Sequence, residues 1–311
     1  MPDLVTFLNP RTCGIYKNGQ PRFKTNPITG KRTEDIDNEL AINVDNYLHS
    51  RLSPGEASVA LDEVHEHGII VPTYYDNRYN QPIQTLLSEN EIDGITIGDL
   101  ISQNIIAERR GHGSPGNDQR RGEIPYIKVS DIRGLRVNIN PTNLIPISIA
   151  KRLWRGEQSG LNPWDVITPN RASSNIGEFA ILLPGEEQLV ITKEVFVFRV
   201  VDSTVWDPFY LLWALSLQSV REQWRRIALM QTNREDCGDR YKEIILPNPK
   251  SRQWALNVSK SFREYFTTIA EAKSEFISQI TEDDFDYIAS VISSIIPNQN
   301  EDIDSCDETE N

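Results

Sequence analysis

The sequence predicts an α+β protein: an irregular N-terminal arm, a body of strands and short helices, and a long helix that packs lengthwise in a coiled-coil-like manner. Three observations carry this expectation. "GEIPYIKVSDI" and "QLVITKEVFVFRVV" are rich in β-branched and aromatic residues, as strands are. "DPFYLLWALSLQSVREQWRRIALM" holds a broad apolar stripe at helical spacing. Beyond Ser251, apolar residues recur at close to the coiled-coil period of about 3.5 residues.

Taken in order, residues 1–93 are dense in turn signals: "NPRTCG", "KNGQP", "NPITGK", "SPGEAS" and "YYDNRYNQP". A short helix over Asp35–Leu52 and a strand in "HGIIVPTYY", stopped near Pro72, are the regular elements expected there. With little apolar surface of its own, this segment reads as a docking arm. From Gly94 the texture changes, and "ITIGDLI" opens the body that runs to residue 250. In "GEIPYIKVSDI", Ile124, Tyr126, Lys128 and Ser130 fall on one parity and Ile127 and Val129 on the other, which predicts a strand with one core face. "QLVITKEVFVFRVV" predicts one long β run. Asp207 is placed to cap the helix that follows, with Pro208 at its first position. Leu211, Leu212, Leu215, Leu217, Val220 and Trp224 form its core stripe, and the strand "YKEIILP" closes the body at Pro247. In the helical segment 251–296, Val258, Phe262, Tyr265, Ile269, Ala272, Phe276 and Ile280 form a seam, so a partner helix is implied, from this chain or another. Residues 297–311 read as an acidic disordered tail, and no internal repeat is present.

A chain of 311 residues with 38% apolar content is long enough for a substantial core. No uninterrupted apolar run reaches the ~18 residues of a membrane span, and the first residues lack a signal peptide's basic flank and apolar core. The expectation is a soluble, cytoplasmic protein. Cys13, Cys237 and Cys306 are odd in number and without ligand spacing, so reduced, incidental thiols are expected. The net charge is −13, yet its placement is uneven. The tail "NQNEDIDSCDETEN" has six carboxylates and no base, whereas residues 109–136 hold seven bases against three acids, followed by Lys151, Arg152 and Arg155. Charge runs are ordinarily solvated faces; this one becomes a nucleic-acid footprint only if the fold gathers it.

The motifs of self-contained catalysis are missing. There is no GxxxxGK[ST] loop, no GxGxxG, no HExxH, no GxSxG, and no Asn/Asp-Pro-Pro-Tyr/Phe tetrapeptide of the amino-methyltransferases. His49, His65, His67 and His112 are expected outside the body of the strand-rich unit. His65 and His67 in "EVHEHG" are read as surface residues rather than metal ligands. The chain reads as a binder, with no metal and no cofactor of its own.

Three segments, "ITIGDLI...GEIPYIKVSDIRG", "NPWDVITPNRASSNIGEFAILL" and "TNREDCGDRYKEIILPNPKSRQ", resemble in order and spacing the target recognition domain of the type I restriction–modification specificity subunit. The shared pattern is a strand ending in an Asp-bearing loop, a "DILI...IG..A" step, an apolar run, a "DP.YL" helix, and a last strand ending in "P.P...Q" before a long helix. It covers roughly residues 95–280. The resemblance implies a mixed-sheet target recognition domain at 94–250, reading one half of a bipartite site on double-stranded DNA, and a helical spacer that assembles with a DNA adenine methyltransferase subunit and a restriction/translocase subunit. S-adenosylmethionine would then sit on the methyltransferase partner. Family members typically carry two recognition domains and two helical regions; this chain has one of each, so a homodimer through the C-terminal helix would complete a site. The stretch "CGIYKNGQPRFKTNPITGKRTEDIDNEL" resembles the part that follows the catalytic domain in DNA adenine methyltransferase subunits.

DNA recognition requires cations for phosphate, and Arg, Asn or small hydroxyls for base edges. In "VITPNRASSNIGEFAIL", Arg171 is a candidate for guanine, Asn170 or Asn175 for adenine, and Ser173 and Ser174 for phosphate. Lys128, Ser130 and Arg133 form a second candidate group, with Asp131 read as a cap, an orienting group or an acceptor from a cytosine amine. Gln231, Asn233, Arg234 and Arg240 in "QTNREDCGDRYKE" form the third. The bland alternative is that Asn and Ser merely make turns. Rival functions are a split DNA methyltransferase or nuclease with its own activity, and a structural adaptor working through the long helix.

Overall fold

The computed structural model describes residues 3–140, 142–171, 175–231 and 234–282. Its centre is a four-stranded antiparallel sheet in the order Ala180–Ile181, Val166–Pro169, Val195–Val200, Ile106–Arg110. Beside it lies a three-stranded mixed sheet in which Ile124–Ile127 pairs antiparallel with Leu144–Ile145 and parallel with Val190–Ile191. The run "QLVITKEVFVFRVV" is therefore two strands in two sheets. The switch is the turn at residues 192–194, closed by Val195 N donating to Thr192 O at 3.2 Å.

Strand parity sorts the side chains into layers. Val166, Phe196 and Phe198 face a large helix-covered core, while Ile167, Val195 and Val197 face the second sheet, where they meet Ile127, Val129 and Ile191. Ile124 and Tyr126 point the other way, onto Val190 and the helix Ile147–Trp154 through Ala150 and Trp154. The alternation read in "GEIPYIKVSDI" is real, but both faces of Ile124–Ile127 are buried, not one. Burial of each such large side chain contributes about 1.5–3 kcal/mol. The strand also stops at Ile127, because the chain then turns through Val129–Asp131.

Asp207 caps the next helix as expected: its carboxylate accepts from Phe209 N at 2.9 Å and Tyr210 N at 3.2 Å. The single helix expected from Pro208 is two, Pro208–Ser216 and Gln218–Ile227, meeting at Leu217. The body is closed by Ile245–Pro247 pairing antiparallel with Gly94–Thr96, after a 3₁₀ turn at Arg240–Glu243 that shortens the expected strand. The terminal helical segment also divides, at Ser259, into Arg252–Val258 and Lys260–Glu282. Its single seam resolves into two stripes. Val258, Phe262 and Ile269 pack on the large core together with Phe266, which is 1% exposed. Tyr265 (55% exposed), Ala272 and Phe276 (57% exposed) face outward. The Ile280 side chain and residues 283–311, the acidic tail included, lie outside the described residues.

The arm has a small core of its own. Leu4–Leu8 pairs antiparallel with Glu56–Ala60, and Phe7, Ala57, Val59, Val64, Tyr74 and Tyr75 pack together, with Phe7 and Tyr75 stacked at 4.3 Å. Two expectations fail here for local reasons. Residues Arg32–Ile36 form a strand against Phe23–Thr25, so the helix begins only at Glu39, capped by Asn38, and ends at Leu48. "HGIIVPTYY" is no strand: the helix Leu61–His67 ends on Gly68 at φ +62°, and Pro72 starts the short helix Pro72–Tyr75. The following helix, Gln81–Glu89, buries Ile83 and Leu87 in the large core. Arg226 Nη2 lies 2.8 Å from Glu243, and the Tyr74 hydroxyl donates to Glu243 at 2.9 Å, so the arm is seated on the Gln218–Ile227 helix. Cys13 is exposed and Cys237 buried; Cys306 lies outside the described residues. No helix among the described residues is long and apolar enough to cross a membrane.

Candidate nucleic-acid interface

Three polar segments, far apart in sequence, meet at one end of the sheets. The first follows Ile124–Ile127. Asp131 locks its turn, accepting from Lys128 N at 2.8 Å and Ser130 Oγ at 3.3 Å, which is the capping role among those expected for it. Next comes a tight hairpin, Ile132–Arg133 against Arg136–Val137, turning through Gly134 at φ +59° and Leu135 at φ +64°. Two consecutive positive φ values mark the turn whose twist suits a two-residue hairpin. Leu135 tolerates that conformation because its carbonyl accepts from Ile181 N at 3.2 Å and its side chain packs on the large core. The register sets Arg133 opposite Arg136, both exposed and neither in an ion pair among the described residues. Ser130 is exposed beside them, and Lys128 Nζ donates to Asn143 Oδ1 at 2.9 Å.

The second segment leaves the sheet at Pro169. Asn170 is fixed by its backbone, with N donating to Glu194 O at 3.0 Å and O accepting from Cys237 N at 3.3 Å. Its side chain is buried and the amide oxygen has no partner. Arg171 forms a β-bridge with Asp236, and its Nε lies 3.6 Å from the Asp236 carboxylate, too far for a good hydrogen bond. Asn175 is turned inward and is 5% exposed; its amide nitrogen donates to Val129 O at 3.4 Å and Ile132 O at 3.3 Å. Gly177, at φ +82°, lies on the Trp224 indole, where a Cβ would come within 3.2 Å. Ser173 and Ser174 lie outside the described residues.

The third segment is the hairpin of Leu229–Gln231 and Arg234–Asp236. Asn233 and the side chain of Arg234 lie outside the described residues. Arg240 does not reach outward: Nε donates to Ile227 O at 2.9 Å and Nη2 to Asp236 O at 2.7 Å, a clamp on the protein's own backbone. Asn175 and Arg240, both expected at DNA, are thus committed to holding the loops together. Burial, with the Asp236 charge adding to it, pushes the Cys237 thiol up to about 12, so it stays protonated and unreactive.

The sequence places Arg136 only in the basic run 109–136, because its position facing Arg133 depends on the hairpin register. Arg110, another member of that run, is exposed at the end of its strand, with its guanidinium 5.4 Å above the Phe196 ring and 3.8 Å from Asp239. Arg109, in the same basic run, turns inward and donates to Gly160 O at 2.6 Å. His112 also sits inside the strand-rich body, contrary to expectation, because its ring spans two backbone groups. Nδ1 accepts from Ile191 N at 3.0 Å, and Nε2 donates to Ser159 O at 2.8 Å. Burial pushes this imidazole down to about 4, despite the Ser159 hydrogen bond, and the Arg109 charge adds to the depression. His65 and His67 lie on a helix rather than a loop, and no cluster that could hold a metal occurs among the described residues.

No protein-family model matches the chain, and no curated protein does. Solved structures similar to it include the type I restriction–modification S subunit from M. genitalium, at 13% identity and TM-score 0.38, covering 64% of this chain and 49% of that one. The HsdS subunit from Thermoanaerobacter tengcongensis is similar at 13% identity and TM-score 0.37, over 70% of this chain and 49% of that one. The type IIG restriction endonuclease BpuSI is similar at 11% identity and TM-score 0.41, over 67% of this chain and 30% of that one. The chain spans about half the length of the two S subunits.

Proposed function

We propose that the chain is a non-catalytic specificity subunit of a restriction–modification system, which reads one half of a bipartite site on double-stranded DNA. The observation that carries this is the convergence of three separate loops on one edge, with Arg133 and Arg136 opposed and unneutralised in a protein of net charge −13. Phosphate contacts position a protein and base-edge contacts specify sequence. Arg133, Arg136 and Arg110 supply the first kind, with Lys128, Ser130 and the segments around Ser173, Ser174, Asn233 and Arg234 on the same edge. Arg171 supplies the second: its long contact with Asp236 can be exchanged for the paired acceptors of a guanine, and Asn170 adjoins it with an unpartnered amide oxygen. The motif order seen in the sequence supports the same reading.

The outward stripe of Tyr265, Ala272 and Phe276 supports assembly through the long helix, with a second copy bringing the other half-site and a DNA adenine methyltransferase subunit, and in turn a restriction/translocase subunit, docking on the pair. On this reading the chain works in the cytoplasm and needs no cofactor, S-adenosylmethionine being held by its methyltransferase partner. Selection from random duplexes, with the chain alone and with its partner, tests the proposal. Enrichment of a short half-site is expected. Binding with no sequence enrichment would leave the adaptor role, and methylation or Mg²⁺-dependent cleavage by the chain alone would make it an enzyme.

A further inference from the structure

Residues 4–33 contain six bases, Arg11, Lys17, Arg22, Lys24, Lys31 and Arg32, and no acid, within a chain that has 45 acids to 32 bases. Half of this charge, Lys24, Lys31 and Arg32, is on one projecting β-ribbon, Phe23–Thr25 against Arg32–Ile36, far in sequence from the three loops above. Charge is polarised along it. Lys24, Lys31 and Arg32 lie near the tip, Glu34, Asp35 and Asp37 toward the root, and Asp37 pairs with Arg22 at 3.0 Å. The three cations near the tip form no ion pair among the described residues. The Arg32 guanidinium is supported on the Phe23 ring at 3.7 Å and so is held in place without being neutralised.

The tip is exposed yet preformed. Asn26 Oδ1 accepts from Ile28 N at 2.9 Å and Thr29 N at 3.0 Å, Gly30 N donates to Asn26 O at 2.9 Å, and Asn26 N donates to Lys31 O at 2.8 Å. Gly30, at φ +66°, closes the turn. This scaffold presents Pro27 and Ile28 to solvent, and Ile28, 92% exposed, touches no core. A single exposed apolar residue is ordinary. One held by four hydrogen bonds between unpaired cations is a shape with a use. A two-stranded ribbon is narrow enough for a DNA groove, and apolar tips flanked by cations are the means by which proteins press against base steps.

We propose that this ribbon is a second duplex-DNA contact, with Lys24, Lys31 and Arg32 on flanking phosphates and Ile28 toward the base steps. The inference rests on the chain being a DNA binder, and it assigns the arm a role that the recognition edge does not supply. It also uses the anchoring already described, since the arm is joined through Tyr74, Glu243 and Arg226 to the helix that leads into the Leu229–Gln231 hairpin.

The test measures duplex affinity of the full chain against salt for the wild type, for a K24A/K31A/R32A variant, for I28S and for R133A/R136A. Loss of the three ribbon cations is expected to weaken binding at least tenfold and to lower the salt slope by about 2–3, at ~0.9 per phosphate. I28S should weaken binding severalfold with an unchanged slope. Thermal midpoints of the ribbon variants should shift little, because Lys24, Lys31 and Ile28 make no ion pair or core contact among the described residues and Arg32 loses only an exposed contact with the Phe23 ring. If R133A/R136A weakens binding and the ribbon variant matches the wild type in affinity and slope, the ribbon proposal is overturned and the recognition edge stands. If the wild type binds no duplex, both fall.

Discussion

Arg133 and Arg136 face each other directly across the two-residue turn at Gly134 and Leu135, two exposed cations in register, neither in an ion pair among the described residues. Like charges at facing positions destabilise a strand pair by up to about 1 kcal/mol. A phosphate between them would turn that repulsion into a clamp. On the proposed DNA-binding reading, the pair gives the edge a seat for a phosphate at a small cost in stability.

Stability and binding should accordingly respond in opposite directions at this pair. Arg133→Ala and Arg136→Ala are each expected to leave stability unchanged or raise it by about 0.5 kcal/mol. Each should also lower the salt slope of DNA binding by ~0.9 if its guanidinium neutralises one phosphate. Denaturant titration and binding isotherms at several salt concentrations give both numbers. A parallel loss of stability and affinity would mean the arginines are structural.

Asn175 predicts a different pattern, because its amide ties the Val129 and Ile132 carbonyls to the 170s loop. Asn175→Ala removes the donor that joins Val129 O and Ile132 O to the 170s loop, with Val129 O keeping the Ile132 N–H, and should cost about 1–2 kcal/mol of stability. Affinity should fall as the loops lose their mutual position, while the sequence enriched from random duplexes stays the same. A change of one specified base would instead place Asn175 at a base edge.

The contrast between these residues shows where sequence reasoning reached and where it stopped. The Asp207 cap and the strand parities rest on local chemistry or period, and both are written in the sequence, whereas the meeting of the Arg133 and Arg171 segments at one edge comes only with the fold. The inward turn of Asn175 and the self-clamping of Arg240 depend on which distant carbonyls the fold brings within reach, and no local pattern encodes that. Breaks at Leu217 and Ser259 were hidden because the apolar spacing continues through both. Phe266 was passed over since a seam of strict 3.5 period selects Tyr265, whereas a straight helix of 3.6 residues per turn brings Phe266 onto the body.

Arg171→Lys tests base reading separately from charge. Lysine keeps the cation but loses the planar fork that matches two acceptors. Discrimination at a single position of the selected site should drop by about 1–3 kcal/mol, with non-specific affinity at matched salt unchanged. Equal weakening on every sequence would mark Arg171 as a phosphate contact.

His112 sets an acid limit on stability. Its imidazole is held neutral, with its pKa pushed down to about 4 by burial, while the unfolded chain takes up a proton near the usual 6.5. A base depressed in the folded state contributes stability that is fully present above about pH 6.5 and is lost as pH falls toward 4. For a ring still partly reached by solvent, the loss is on the order of 2–3 kcal/mol. His112→Ala should be less stable than the wild type at pH 7, with the gap narrowing as pH falls to 4.5. A pH-independent gap would show that His112 does not titrate in this way.

The two stripes of the Lys260–Glu282 helix should separate folding from assembly. Phe266 is buried against the body and its truncation to Ala should cost about 3–5 kcal/mol, through lost transfer energy and the cavity left behind. Phe276 faces away, so F276A should change stability by no more than about 0.5 kcal/mol, and Y265A by about 0.5–1.5 kcal/mol, since the exposed Tyr265 ring meets Phe266 edge-on at 5.0 Å. If the outward stripe is the seam for a second copy or a partner helix, the same two substitutions should lower the assembled fraction in sedimentation velocity, alone or with a methyltransferase subunit. The double variant should still bind a half-site duplex as a monomer, because Arg133 and Arg171 lie on the body. Retention of full assembly in the double variant would move the interface elsewhere and leave the outward stripe as solvated surface.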